Sequence, residues 1–466
     1  MQAIDVGYVI DEGRWTTYQK LLILATALTI ILDGVDNQLL GNAIPSLMKE
    51  WSLGRSAFST VLALSPLGMM FGGALGGMLG DRIGRRSALL ASVISFAILT
   101  LAVSMANGLF LLGILRFLAG LGLGGAMPNA AALSSEYAPR RQRPFAVTLT
   151  IVCIPLGGTL AAILSAQVVP MYGWRMLFVL GGIIPIALGI VLLRCLPESP
   201  RYLASRKERW PELIVLLRKL GHSVSADAEF SAGHTLTNSK SRAAKRERDS
   251  AKPQVMMSDL FVPEFRRDTL GLFGSFFFCL LANYVGILLL VATLTGAGFT
   301  QSAASNALGW WNIGGVVGAV LGALLIQRLG SRTTMLGISG VAIASALVVA
   351  ATPLDPRSTF LVLMFILLGG TLNAVQTTMY ALAANVYPTE IRSTGIGTAV
   401  AVGRIGNVLA SYTGNFALDI GGPSAYFSSF GIAMVLVFGS LAVIRRHISG
   451  AVTETATVKI GVTAGH

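Results

Sequence analysis

The sequence contains few charged residues. Asp, Glu, Lys and Arg make up 12% of its 466 residues, whereas hydrophobic residues make up 53%. A soluble domain carries about 25% charged residues, so this composition excludes an ordinary soluble protein. Apolar runs of about 20 residues, the length that crosses a bilayer as a helix, recur along the whole chain. The composition therefore predicts an all-α polytopic membrane protein.

Cysteine and histidine are also scarce. The three cysteines, Cys153, Cys195 and Cys279, lie in or beside apolar runs, and their spacing indicates neither a disulfide framework nor a metal site. The four histidines all lie outside the apolar runs. An intramembrane enzyme needs a nucleophile with its base or a metal cluster, and the chain offers no such group. We therefore expect no enzyme activity, no metal and no cofactor.

Twelve apolar segments can be counted, with a polar stretch after the sixth. They cover residues 19–45, 56–79, 88–106, 108–135, 145–170, 173–195, 268–292, 303–327, 333–352, 357–384, 394–418 and 424–446. We predict twelve transmembrane helices in two pseudo-symmetric six-helix bundles. The N-terminal bundle is expected over 1–195, a cytoplasmic linker over 196–267, and the C-terminal bundle with its tail over 268–466.

The linker has two parts of different character. Residues 204–220 predict an amphipathic surface helix with Pro211 near its middle. Residues 231–253 are rich in Ser, Lys and Arg and predict a flexible stretch. A simple connection between the two bundles is the favoured interpretation, with a regulatory role as the alternative.

Basic residues are distributed unevenly between the predicted loops. Most of the 35 Lys and Arg residues lie in even-numbered loops and tails, whereas the odd-numbered loops hold only Lys49, Arg55, Arg175 and Arg357. By the positive-inside rule, both termini are expected on the cytoplasmic side. The net charge of +13 then mainly reflects the basic loops and tails that set the orientation in the membrane. Nucleic acid is therefore not an expected partner.

An internal repeat links the two halves. Residues 68–90 (GMMFGGALGGMLGDRIGRRSALL) match residues 314–336 (GGVVGAVLGALLIQRLGSRTTML) in a ladder of glycines followed by arginine, a hydrophobe, glycine, any residue and arginine. Glycine at every fourth position predicts a flat ridge on which two helices approach closely. Duplicated bundles are a transporter architecture, with the binding site near the membrane midplane at their interface.

These motifs resemble the major facilitator superfamily. The resemblance rests on GDRIGRR (80–86), its degenerate copy QRLGSR (327–332), residues 116–143 and LPESPRYL (196–203). Within the superfamily, DGVDN in segment one and GIGTAVAVGRIGN in segment eleven resemble the aromatic acid:proton symporters. The chain departs from the family pattern at Asn37, where threonine is usual, and at Gln327, where aspartate is common.

The resemblance implies an importer of small aromatic carboxylates, such as hydroxybenzoate or protocatechuate, that works by proton symport and alternating access. We expect it to act as a monomer. The alternative is a proton-coupled exporter of drugs or other organic anions. Many antiporters carry Gly-Pro-x-x-Gly-Gly in segment five, whereas this chain has IPLGG at 154–158, which disfavours export.

Two acids and one arginine are predicted to couple transport to protons. A charge at the bilayer centre costs at least about 2.5–3.5 kcal/mol, yet segment one carries Asp33 and Asp36, which share a helix face. Counting from the expected segment ends places Asp36 about 13 Å and Arg116 about 12 Å below the outer surface. We expect these two to pair, with Asp36 as the main proton carrier and Asp33 as its relay. A static buried ion pair is the alternative.

Arg404 is predicted to bind the substrate carboxylate. It lies about 15 Å into segment eleven, a depth at which the second half offers no acid, and its planar guanidinium suits a carboxylate. Pairing with Asp33 or Asp36 across the cavity is the alternative. Trp310, Asn373 and Tyr380 are further candidate substrate contacts, with core packing as the alternative for each.

The loop after segment two is predicted to form a conformational latch. Asp81 is expected to accept hydrogen bonds at a helix N-terminus, where the dipole favours anions, while Arg85 and Arg86 are expected to reach Glu136. Solvated loop charge is the alternative. The predicted latch residues are Asp81, Gly84, Arg85, Arg86, Glu136 and Arg140.

Overall fold

The computed structural model describes residues 4–222, 224–225, 228–231, 257–388 and 391–449. Most of the predicted flexible stretch 231–253, and the tail after residue 449, lie outside the described residues. The described chain is almost entirely helical. Its two short strands, β1 (Ile4–Asp5) and β2 (Phe230–Ser231), pair in parallel.

The first half holds five long helices. They follow the short helix α1 (Val6–Asp11) and are α2 (Thr17–Trp51), α3 (Ser59–Ile83), α4 (Arg85–Val103), α5 (Leu109–Tyr137) and α6 (Arg143–Cys195). Helix α6 is broken at Gly173, whose φ of 78° is not helical, so it supplies two crossings. Helix α2 continues through Pro45 to Trp51, beyond the end predicted at residue 45.

The second half repeats this arrangement. After the linker helices α7 (Pro200–Ala204) and α8 (Trp210–Lys219) come α9 (Arg266–Gly296), α10 (Gln301–Leu329), α11 (Ser331–Ala351), α12 (Thr359–Val386) and α13 (Arg392–Val443). Helix α13 is broken at Gly421 and Gly422. Ten described helices are long and apolar enough to cross a membrane, and α6 and α13 each cross twice. The prediction of twelve crossings in two six-helix bundles is confirmed.

Two glycines at matching positions of the repeat turn the chain in the same way. Gly84 lies between α3 and α4 with φ 101°, and Gly330 lies between α10 and α11 with φ 80°. Glycine populates positive φ at little cost, whereas other residues are strained there. The two glycines differ by the 246 residues of the sequence repeat, so the repeat extends to backbone conformation.

The glycine ridges allow close helix packing in both halves. A Cβ at Gly72 would overlap the backbone of Leu121 in α5, and a Cβ at Gly318 would overlap the backbone of Gly370 in α12. Small residues let membrane helices approach in this way. The predicted role of the ridges in helix packing is therefore confirmed.

The amphipathic linker helix packs against the N-terminal segment. Leu213, Leu216 and Leu217 of α8 are buried in a cluster with Val6 and Ile10. The prediction that Pro211 lies near the middle of this helix is wrong, because α8 begins at Trp210. Proline is tolerated in a first helical turn, where its missing N–H has no partner to lose.

The alternating helices define two ends of the molecule. The end with Gly84, Gly330 and the described linker residues is here named the linker end. The end with the breaks at Gly173 and Gly421 is named the far end. The candidate functional site lies between these ends, where the first half (residues 4–195) meets the second half (residues 266–449).

Candidate functional site

A cavity of about 110 Å³ lies between the two halves. Helices α2, α3, α5 and α6 line it from the first half, and α9, α10, α12 and α13 from the second. Apart from α2, the first half contributes an apolar wall, which includes Pro66, Met69, Leu123, Met127, Ile154 and Pro155. The second half contributes mostly polar groups, which include Asn283, Tyr284, Gln376, Tyr380, Arg404 and Asn407.

Asp36 and Arg116 form a buried ion pair. Their Oδ2 and Nη1 atoms are 3.0 Å apart, and each side chain is 1% exposed. Thr100 donates its hydroxyl to the other carboxylate oxygen of Asp36, and Arg116 Nη2 donates to Ser65 Oγ at 3.2 Å. The structure therefore brings together the two residues whose depths matched in the sequence. Neither of them lines the cavity.

Asp33 has a different environment from Asp36. It lies one helical turn closer to the linker end, lines the cavity and is 4% exposed. Its Oδ1 atom has no hydrogen-bond partner among the described residues. A buried carboxylate without partners is costly as an anion, and binding a proton removes that cost. Of the two predicted acids, Asp33 is therefore the one that lines the cavity.

Arg404 reaches the cavity from α13. Its Nη1 donates to the backbone carbonyl of Met69 in α3 at 2.5 Å, and no described carboxylate forms an ion pair with it. Gly73 leaves the space for this approach, because a Cβ there would lie 2.7 Å from Arg404 Nη1. The cavity thus contains a guanidinium held by one neutral acceptor, with most of its donors available to an anion.

The three further predicted substrate contacts occupy different places. Asn373 and Tyr380 line the cavity, and the Tyr380 ring packs edge-on against Phe276 with 5.3 Å between centroids. Trp310 does not line it: its side chain is 42% exposed, while the neighbouring Trp311 is buried. Trp311 lies about 100° around α10 from Trp310, and it is Trp311 that faces the protein interior. The prediction for Trp310 is contradicted by this geometry.

Of the amides that line the cavity, Gln38, Asn283 and Asn407 were missed in the sequence. Gln38 and Asn312 exchange two hydrogen bonds across the halves, at 2.9 and 2.8 Å, and Asn283 donates to Gln376 Oε1 at 2.5 Å. Asn407 follows Arg404 by three residues and therefore shares its helix face. That spacing was the available signal for Asn407, whereas nothing in the sequence distinguished Asn283 or Gln38 from other polar residues.

The far end is closed by hydrogen bonds between the halves. Arg55 bonds Asn415 at 2.7 Å and Asp419 at 2.8 Å, and Ser411 donates to the Ser59 carbonyl at 2.8 Å. Within the described ranges, all hydrogen bonds between the halves lie at the cavity or on its far-end side. Among the described residues, hydrogen bonds thus join the halves at the cavity and at the far end.

The predicted latch has a different acid at its centre. Asp81 pairs with Arg85 at 2.5 Å instead of capping a helix. Buried Glu198 takes that place, accepting from the Arg86 backbone N–H at 2.8 Å at the start of α4. A carboxylate is stabilised at a helix N-terminus by the free N–H groups and the dipole. The expectation that Asp81 caps the helix is contradicted by these contacts.

Glu136 also has a partner other than the predicted one. Glu136 accepts a hydrogen bond from the Ser199 hydroxyl, and neither Arg85 nor Arg86 forms an ion pair with it in the described structure. Arg140 is exposed and donates its backbone N–H to the Asp11 carbonyl at 3.2 Å. Gly84 is required where predicted, because a Cβ there would overlap the carboxylate of Glu198.

Comparisons with known proteins agree with this architecture. The Major Facilitator Superfamily profile matches residues 26–410 and 271–459. A gallate transporter of Pseudomonas putida is 32% identical over 422 residues, which are 90% of this chain and 90% of that protein. The 4-hydroxybenzoate transporter PcaK of the same species is 31% identical, covering 90% of this chain and 91% of that one.

More distant proteins share the fold. A benzoate transport protein of Acinetobacter baylyi is 29% identical over 93% of this chain and 91% of its own length. The xylose transporter XylE from E. coli, in a partially occluded inward-open conformation, superposes with a TM-score of 0.68 at 18% identity. That comparison covers 93% of this chain and 99% of the xylose transporter.

Proposed function

This chain belongs to the major facilitator superfamily, and from that premise we propose that it imports small aromatic carboxylates by proton symport. The observation that carries the proposal is Arg404, whose guanidinium enters a cavity between the two halves with one neutral carbonyl as its partner. The relatives named as gallate, 4-hydroxybenzoate and benzoate transporters support a substrate of this chemistry.

The cavity suits an aromatic anion. Arg404 would bind the carboxylate, since a guanidinium fork matches its two oxygens. The apolar wall that includes Met69, Leu123 and Ile154 would pack on the ring, and Tyr380 offers an aromatic edge with a polar hydroxyl. Asn373 lies beside these groups. Trp310 has no role in this arrangement.

We assign the exchange of the proton to Asp33. Its unpartnered carboxylate oxygen faces the same cavity as Arg404, whereas Asp36 is bonded to Arg116 and Thr100. Asp36 and Arg116 would then hold α2 and α5 in register and compensate each other's charge. Protonation of Asp33 would leave Arg404 free for the substrate, and release of the proton would favour release of the carboxylate.

Access to the cavity would alternate between the two ends. The hydrogen bonds at the far end support a state that is closed there. With Glu198 and Arg86 at the linker end, the loop motif would hold the first half rigid while the halves rock. We place the linker end and both termini in the cytoplasm, because the basic loops gather at that end. The chain would act as a monomer in a bacterial inner membrane, with protons as the only coupling ion.

The test is uptake of labelled 4-hydroxybenzoate into proteoliposomes. An inward-directed proton gradient should drive accumulation, and Asp33→Asn should abolish accumulation while retaining exchange of bound substrate. Asp355→Asn, a change in an exposed loop acid, is the matched control and should transport normally. Uptake that ignores the proton gradient, or that requires sodium, would contradict symport; export against the gradient would support the alternative function.

A further inference from the structure

A groove on the outer surface of the second half runs between α10, α11 and α12. Its volume is about 530 Å³, and it is lined by aliphatic residues, glycines and three threonines. Val317, Leu321 and Val341 in its walls are about half exposed, and in a membrane-crossing region such surface faces lipid. The lining of α10 extends from Gly314 to Leu329, about 22 Å along the helix. Half of the hydrocarbon core is about 15 Å thick, so an acyl chain of one leaflet fits along the groove.

The corresponding helices of the first half pack more closely. Equivalent contacts of the two glycine ridges align Gly122 of α5 with Thr371 of α12. A Cβ at Gly122 would lie 3.0 Å from the backbone nitrogen of Phe96, so α5 lies directly against α4 there. Thr371 instead carries a side chain and lines the groove. The groove is therefore a feature in which the two halves differ.

Two arginines lie at the linker end of this groove. Arg328 follows Leu325 by three residues and therefore shares its helix face, and Arg332 directly precedes Thr333. Leu325 and Thr333 both line the groove. The two arginines are exposed, and neither side chain forms an ion pair or a hydrogen bond with a described residue. They thus lie where the headgroup of a lipid would lie if its chain filled the groove.

The first copy of the loop motif engages its charges within the protein. Asp81 pairs with Arg85 at 2.5 Å, and the guanidinium of Arg86 donates to a backbone carbonyl at 2.5 Å. In the second copy, Gln327 stands at the position of Asp81 and supplies no negative charge. The positive charge of the second copy is therefore available to a ligand from the membrane.

We propose that this groove binds one anionic phospholipid, with an acyl chain along α10 and the phosphate at Arg328 and Arg332. Guanidinium groups form paired hydrogen bonds with phosphate oxygens, and basic sites between membrane helices bind anionic headgroups. A zwitterionic lipid carries a cationic amine beside its phosphate, which weakens its attraction to the two arginines. The groove shares no lining residue with the cavity between the halves, so the site does not depend on which substrate is transported.

The experiment is native mass spectrometry of the purified full chain, titrated with phosphatidylglycerol or with phosphatidylcholine of the same acyl chains. In the natural protein, the first phosphatidylglycerol should bind at least about tenfold more tightly than the first phosphatidylcholine. In the double variant Arg328→Gln with Arg332→Gln, this preference should fall to within about twofold of unity. Arg141→Gln with Arg194→Gln, which removes two exposed arginines at the linker end of the first half, is the control of equal charge and should keep the preference.

A second pair of variants tests the groove itself. Nothing lies within 4 Å of a Cβ at Gly337 or at Gly340, both in α11, but only Gly337 lines the groove. Gly337→Leu should abolish the tight first binding step, because its side chain occupies the space of the acyl chain. Gly340→Leu should retain that step.

Three results would overturn the proposal. The first is equal affinity of the natural protein for the two lipids. The second is tight binding of phosphatidylglycerol that survives either the double arginine variant or Gly337→Leu. The third is a dimer of the natural protein that Gly337→Leu dissociates, which would identify a second copy of the chain as the occupant of the groove.

Discussion

Arg116 and Arg404 are both arginines within membrane helices, yet their surroundings differ. Arg116 is 1% exposed and bonded to Asp36 and Ser65 away from the cavity. Arg404 is half-buried, enters the cavity and is held by the Met69 carbonyl. The first arginine is ion-paired inside the protein, whereas the second forms no ion pair with a described carboxylate and lines a cavity that a ligand can enter.

The difference indicates a division of roles between the two halves. In the first half, both members of a charged pair are present, so substitution of either should be felt mainly in folding. In the second half, Arg404 forms no ion pair with a described carboxylate, so its substitution should be felt mainly in binding. Three substitutions test this division, in order of decreasing effect on free energy.

Arg116→Leu should cause the largest change. It leaves the Asp36 carboxylate buried without its counter-charge, and breaking a buried pair costs about 3–5 kcal/mol. Thermal unfolding in detergent would measure the loss. The double variant Arg116→Leu with Asp36→Leu should recover much of it, because no buried charge then remains.

Arg175→Leu, which breaks the exposed pair with Glu50, is the control and should cost less than about 1 kcal/mol. Equal losses for Arg116→Leu and Arg175→Leu would refute the assigned role.

Arg404→Lys should cause the next largest change, in binding. A lysine keeps the charge but loses the planar fork that matches a carboxylate. We expect carboxylate affinity to fall at least tenfold, or about 1.4 kcal/mol, with unfolding stability nearly unchanged. Inhibition of labelled uptake gives the affinity. Natural affinity in this variant would remove Arg404 from the binding site.

Gly73→Ala should cause the smallest change. Its Cβ would lie 2.7 Å from Arg404 Nη1, so the flexible guanidinium must move to accommodate the methyl group. Carboxylate affinity should fall by less than in Arg404→Lys. Gly77→Ala, one turn along α3, is a close control because nothing lies within 4 Å of a Cβ there. Equal affinities in the two alanine variants would show that the position of Arg404 does not depend on Gly73.

The depth of a residue within the membrane could be predicted from the sequence. Asp36 and Arg116 lie in helices that start from opposite ends, and counting residues placed them at the same height, where the structure pairs them. The twelve crossings and the matching turns at Gly84 and Gly330 were readable for a similar reason. Helix rise and hydrophobic length are local properties, and a repeat copies them.

The side of a helix that a residue faces was much harder to predict from the sequence. Trp310 and Trp311 are adjacent residues of the same type. Only the packing of α10 against its neighbours decides which of the two side chains is buried. The helix-capping acid was misassigned for a related reason. Asp81 precedes α4 in the chain, whereas Glu198 reaches it from a distant segment. Contacts between remote segments depend on how whole helices are placed, and a motif of seven residues does not contain that information.

The reciprocal pair between Gln38 and Asn312 has a consequence for kinetics. These two hydrogen bonds join the halves beside the cavity, in surroundings where an unmade amide bond is costly. When the halves separate there, a bound ligand or entering water must replace both bonds. We expect the empty carrier to return more slowly than the loaded one, so substrate on the opposite side should accelerate efflux of labelled substrate. An equal rate with and without that substrate would show that the amide pair does not control turnover.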